Sequence, residues 1–142
     1  MDMIDSAVRL FAAALLAGAV GLERELAHQK AGLRTHMLVG LGAALFTVVG
    51  IELNGDTRIP ANIVTGIGFL GAGAIFREGL TVKGLTTAAG LWTVAAIGMA
   101  TGAGFVKLAV VSTLIAVVVL LALRPIDLWL HQRQTPDGNE QH

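Results

Sequence analysis

Five mostly apolar stretches of this chain, at residues 5–26, 35–53, 61–76, 85–103 and 105–124, are divided by charged or Pro/Gly clusters. Each approaches the roughly 20 apolar residues that a helix needs to cross a bilayer. No feature constrains the fold more. Lipid offers the backbone no hydrogen bonds, so each stretch must satisfy its own N–H and C=O groups, and a helix does this within one segment. The five stretches take up most of the 142 residues, and 54% hydrophobic against 14% charged residues gives a mean hydropathy of +0.72. The expected architecture is all-α: a multi-pass bundle of about five transmembrane helices over 1–124, then a short interfacial segment and polar tail over 125–142. Ala17-Gly18-Ala19 superficially resembles a signal-peptide cleavage site. The start nevertheless carries Asp2 and Asp5, with no Lys or Arg before Arg9, so the first helix is read as retained.

Basic residues in short loops set orientation. Arg24, Lys30, Arg34, Arg77, Lys83, Arg124 and Arg133 make seven on one side, against Arg9, Arg58 and Lys107, three on the other. The N-terminus is therefore expected outside and the C-terminus in the cytoplasm. Residues 124–131 suit a short interfacial helix with Trp129 at headgroup level, and from Thr135 the chain reads as polar and disordered. Zero net charge without a basic block argues against nucleic acid, and the absence of Cys excludes disulfides and thiolate chemistry.

Gly66-Ile67-Gly68-Phe69-Leu70-Gly71 matches the GxGxxG pattern of dinucleotide sites. That pattern needs a preceding strand and an acidic residue about 20 positions on. Upstream stands Pro60-Ala61-Asn62-Ile63 and downstream Ala89-Gly90-Leu91-Trp92, so neither is present. At about 100° per residue, Gly66 and Gly73 align with Asn62 and Arg77, while Gly68, Gly71 and Ala72 lie opposite. The glycines thus read as packing surfaces of a central helix gripped from two sides. Gly98 and Gly102 form a GxxxG pair that suits packing within the bundle or against a second copy. The fifth stretch, dense in Val, Leu and Ile, reads as facing lipid.

The first and third connections bring Glu23, Arg24, Glu25, Arg34, His36, Arg77, Glu78 and Lys83 to one membrane face. Such a cluster of both signs suits a functional site, and it equally suits helix caps and snorkelling side chains. Asn62, following Pro60, suits an N-cap or a polar pathway, and Thr86 and Thr87 suit caps of the fourth helix or a vestibule. For Mg²⁺, which takes oxygen ligands, the carboxylate groups are Glu23, Glu25 and Glu78 inside or Glu52 and Asp56 outside. All stand beside basic residues, so ion pairing is the expectation and no metal or cofactor site is assigned. His28 and His36 make no metal motif and read as solvated. No nucleophilic or paired-carboxylate set occurs, so the chain is expected not to be an enzyme.

Four stretches together resemble the MgtC/SapB family of bacterial inner-membrane proteins: GLERE at 21–25, AGLRTHMLVGLGAALF at 31–46, ANIVTGIGFLGAGAIFREG at 61–79 and VKGLTTAAGLWTVAAIGMATGAG at 82–104. The resemblance covers roughly residues 8–124. It implies a multi-pass protein of the inner (cytoplasmic) membrane, adaptation to low Mg²⁺ and, in some pathogens, virulence through survival inside macrophages. In one branch it implies restraint of the F-type ATP synthase. The family's motif positions fall on Glu23, Arg24, Arg34, Arg77, Glu78 and Thr86, and at Thr86 the virulence-associated branch tends to carry Asn. Well-known members continue into a cytoplasmic ACT-like domain, so this chain resembles a minimal form.

Two functions follow as expectations. One is a non-enzymatic regulator whose Gly-rich helices and charged face dock a partner membrane protein, such as the ATP synthase, or another copy in a homo-oligomer such as a dimer. The other is a magnesium or other ion transporter or channel, lined by Asn62, Arg77, Glu78 and the threonines of the fourth helix.

Overall fold

The computed structural model describes residues 1–53 and 58–133. The elements run α1 (Met3–Leu26), α2 (Leu33–Glu52), α3 (Arg58–Ala74), β1 (Phe76–Glu78), β2 (Thr81–Lys83), α4 (Leu85–Gly102) and α5 (Val106–Arg133). The all-α expectation holds for the bulk of the chain, with one small antiparallel hairpin added. α1, α2, α4 and the Val106–Leu123 part of α5 are long and apolar enough to cross a membrane. The 17 residues of α3 are one fewer than the 18 of α4 and stand at the short limit of the roughly 17–25 that cross a bilayer. Among the described residues, four helices are therefore clearly of membrane length, with α3 marginal.

The centre of the bundle is α4, which packs against α1, α2, α3 and α5. Its small residues make this possible. A Cβ on Gly98 would collide with the Gly40 carbonyl oxygen of α2, and one on Gly102 would lie 2.6 Å from the Ala44 carbonyl oxygen. Gly40 itself faces the Ala17 methyl group of α1. The GxxxG pair thus serves contacts inside the bundle, where backbones approach without a hydrophobic drive and gain dispersion contacts instead. Ala17, Val20, Val94, Ile97 and Ala109 form the core where α1, α4 and α5 meet. Thr47 of α2, Thr101 of α4 and Thr113 of α5 are buried in the bundle at no hydrogen-bonding cost, because each hydroxyl donates to its own i−4 carbonyl at 2.8–2.9 Å.

The expectation for the third helix fails. Only Ile67 and Gly71 of α3 are buried, and Gly66, Gly68 and Gly73 have nothing within 4 Å of a built Cβ. α3 lies at the edge and is gripped from one side, chiefly by α4, with Gly71 lying 3.7 Å from the Ala88 methyl. The misreading has a simple cause: small residues permit close approach, but α4 has filled that role with its own glycines. GxGxxG lies wholly inside this helix, with no strand before it among the described residues.

α5 behaves as its composition predicts. Leu114, Ile115 and Val118 stand exposed, and among the described side chains of α5 only Ala109 and Thr113 are buried. The expected break at Arg124 is absent: the helix passes through Pro125 to Arg133, so residues 125–133, expected as a separate interfacial segment, continue α5. Proline removes a single backbone donor, after which the ladder resumes. The polar tail from Thr135 lies outside the described residues.

Candidate functional site

Where α1 ends and α2 begins, three polar side chains are buried together in the bundle: Glu23 at 7% exposure, Arg24 at 5% and His36 at 0%. Gly21 lets the two helices approach this closely, since a Cβ there would stand 2.7 Å from the His36 Cβ. The Arg24 guanidinium donates through Nε to Glu23 Oε2 at 2.6 Å and through Nη2 to Glu23 Oε1 at 3.0 Å. A two-pronged pair of this kind is the arrangement in which buried charges compensate one another.

His36 Nδ1 stands 2.9 Å from the Gly32 carbonyl oxygen. An oxygen acceptor assigns the proton to Nδ1 and leaves Nε2 as a bare acceptor. Nε2 is buried without a hydrogen-bond partner, and a Cβ on Gly90 of α4 would lie 3.3 Å from it. Thr87, one helical turn before Leu91, is also buried on α4. The expectation of a solvated His36 is therefore wrong: an i−4 carbonyl and two glycines, Gly21 and Gly90, make room for an imidazole in the core. His28 is exposed with φ of 56°.

The remaining charges of the expected cluster do not join this group. Glu25 accepts the Leu33 backbone N–H at 3.0 Å and so satisfies one of the free donors at the start of α2. Arg77 does not continue the face of the third helix, as expected, but lies with Glu78 on β1, because α3 stops at Ala74 and the chain turns back. Arg77 and Asn62 therefore share no helical face. The hairpin pairs Phe76 with Lys83, Arg77 with Val82 and Glu78 with Thr81. Gly79, at φ 63°, supplies the positive φ that a two-residue hairpin loop needs. Arg77 Nε donates to the Gly79 carbonyl at 2.8 Å. The Lys83 ammonium pairs with the Glu78 carboxylate and holds it below the ordinary carboxylate pKa. Lys30 Nζ sits 3.7 Å from the centre of the Phe76 ring, a cation–π contact that ties the α1–α2 loop to the hairpin.

Two cap expectations also change. α3 starts at Arg58, so Asn62 lies inside the helix, and α4 is entered through Gly84 at φ 90° with no side-chain cap. Only glycine fits at 84, where a Cβ would strike the Ala74 carbonyl oxygen. Thr86 instead lines a shallow groove of about 390 Å³ between α4 and α5 with Thr93 and Ser112. Asn62 and Gly66 line a larger cleft of about 720 Å³ between α2 and α3, which also takes in Arg34.

The carboxylates considered for Mg²⁺ are dispersed: Glu23 binds Arg24, Glu25 binds a backbone N–H, Glu78 binds Lys83, and Glu52 meets the N-terminal amine at 2.5 Å. Asp56 lies outside the described residues. Among the described residues no three His, Cys, Asp or Glu side chains gather as a metal site would require. Sequence reasoning named Glu23, Arg24 and His36 but missed that only these three are buried together. The usable signal was Gly21 beside them.

The chain matches the model of the MgtC family over residues 10–129. Protein MgtC of Brucella abortus (strain 2308) is 50% identical over 124 residues, covering 85% of this chain and 52% of that protein. The Synechocystis protein slr0014, uncharacterized, is 46% identical over 136 residues, 94% of this chain and 58% of the relative. The Escherichia coli (strain K12) protein named "Putative magnesium transporter YhiD" is 42% identical over 124 residues, 80% and 58% respectively. The chain spans a little over half the length of these relatives. No solved structure matches it.

Proposed function

Since this chain belongs to the MgtC family, we propose that it is a non-enzymatic protein of the bacterial inner membrane that acts in magnesium homeostasis by docking a second membrane protein. The observation that carries this reading is the state of α3. Its Gly68 flank, with Val64 and Ala72 beside it, is uncovered by the rest of the chain. Small residues facing lipid gain nothing, whereas against another helix they admit close backbone contact. In this reading the N-terminus lies outside, the hairpin and the Glu23–Arg24–His36 group lie toward the cytoplasm, and α3 completes its fifth passage against the partner. Adaptation to low Mg²⁺, survival in a host and restraint of the ATP synthase are the outcomes such docking would serve. Photo-crosslinking in native membranes tests it: a probe at Gly68 is expected to give a discrete protein adduct, while one at Leu114 of α5 gives lipid alone. Lipid alone at both positions would end the proposal.

One observation favours a second reading, an ion pathway, toward which the name of the Escherichia coli relative also points. His36 Nε2 is a buried acceptor without a partner beside the Glu23–Arg24 pair, and intramembrane ionisable groups commonly mark ion or proton routes. Mg²⁺ and proton flux in sealed proteoliposomes decides it. Saturable flux that collapses in His36→Gln makes the chain a transporter, and flux equal to empty vesicles leaves the docking reading.

A further inference from the structure

The cleft between α2 and α3 has a built polarity. At the end near the α1–α2 loop stand Arg34 and Thr35; from there the walls are apolar, with Leu38 and Phe46 on α2 facing Ile63 and Leu70 on α3, as far as Asn62 toward the opposite end. Two glycines, Gly42 and Gly66, hold it open, and neither has an atom within 4 Å of a built Cβ. The other cations nearby are engaged: Arg24 with Glu23, Lys83 with Glu78, Lys30 with the Phe76 ring, and Arg77 through Nε with the Gly79 carbonyl. Arg34 has no carboxylate partner among the described residues, and no carboxylate lines the cleft.

From this we infer that the cleft holds one anionic phospholipid of the leaflet on the α1–α2 loop side, its phosphate on Arg34 and one acyl chain along Gly42 and Gly66. Guanidinium donors match a phosphodiester oxygen pair in geometry as well as charge. A single leaflet offers about 15 Å of acyl chain, half of a core of about 30 Å. The run from Arg34 to Val49 rises about 22 Å, so the chain fits inside the cleft. A second copy of this protein is the weaker occupant. Two copies in one membrane share an orientation, and a two-fold contact places the same patch on both sides. Two Arg34 guanidiniums would then face each other at one depth, with no carboxylate in the cleft to separate them. The site is distinct from the Gly68 flank of α3 and stands or falls independently of partner docking.

The test is native mass spectrometry of the purified chain after detergent exchange with added phosphatidylglycerol or phosphatidylcholine. The wild type is expected to keep one phosphatidylglycerol and to prefer it at least tenfold. Arg34→Gln is expected to lose the preference but still accept lipid, whereas Gly66→Leu, which fills the cleft on an open surface, loses retention of both lipids. Lys107→Gln, an equal loss of charge far from the cleft, is expected to behave as wild type. Equal retention of the two lipids by the wild type would overturn the inference. So would unchanged retention in Arg34→Gln and Gly66→Leu, or disulfide-linked dimers in native membranes from cysteines placed at positions 42 and 66.

Discussion

Glu23 and Arg24 are adjacent in the chain, and each is a burden in the interior without the other. Removing one partner of a buried pair leaves an uncompensated charge, at a cost of about 3–5 kcal/mol, whereas replacing both with apolar groups of similar volume is often neutral or stabilising. Arg24→Leu is therefore expected to lower unfolding stability in detergent strongly, and Glu23→Leu/Arg24→Leu to recover most of it. The glycines divide in the same way by surroundings. Gly98→Ala drives a methyl into the Gly40 carbonyl and is expected to cost about 1–3 kcal/mol through overpacking. Gly68→Ala meets open space inside α3 and is expected to cost nothing and to stabilise by up to about 1 kcal/mol through helix propensity. Denaturation midpoints of the two variants measured side by side check this. Both glycines belong to small-residue motifs visible in the sequence, which gave no means of telling the packed one from the open one.

At the scale of elements, the β1–β2 hairpin departs furthest from expectation, because hydropathy carries the third helix to residue 76 and helical spacing aligns Arg77 with Asn62. The apolar run does continue to Phe76, but Gly79 and Gly84 adopt positive φ and turn the chain back. The Glu78–Lys83 pair gives the hairpin a pH dependence of definite sign. The Glu78 carboxyl is held below its ordinary value of 4.5 by Lys83. Its support for the hairpin is therefore present above that value and is lost as pH falls through the lowered one. Amide exchange of residues 76–83 is expected to quicken in that acidic window in wild type. In Glu78→Gln it should be quicker at neutral pH and flat through the window. Exposure of the pair keeps the effect local, so the helices should show no matching change.

For the whole molecule, the arrangement is three membrane-length helices around a fourth, α4, with α3 against one side and a cleft of about 720 Å³ between α3 and α2. If the Gly68 flank docks a partner, Gly68→Leu is expected to reduce co-purification of that partner from native membranes while leaving the denaturation midpoint unchanged. A fall in both would place the flank in folding instead. The membrane-helix class, the family and the lipid-facing nature of α5 were legible in the sequence, because hydropathy, segment length and motif order are local properties of the chain. The centrality of α4, the edge position of α3, the burial of His36 and the lack of a carboxylate partner for Arg34 were decided by tertiary structure alone. The physical reason is the solvent. In water an apolar stripe marks the inward face of a helix, but lipid is as apolar as the core, so hydropathy shows that a helix enters the membrane and leaves its buried side unmarked. Which glycine meets which carbonyl settles that side, and such contacts exist only once the helices are packed.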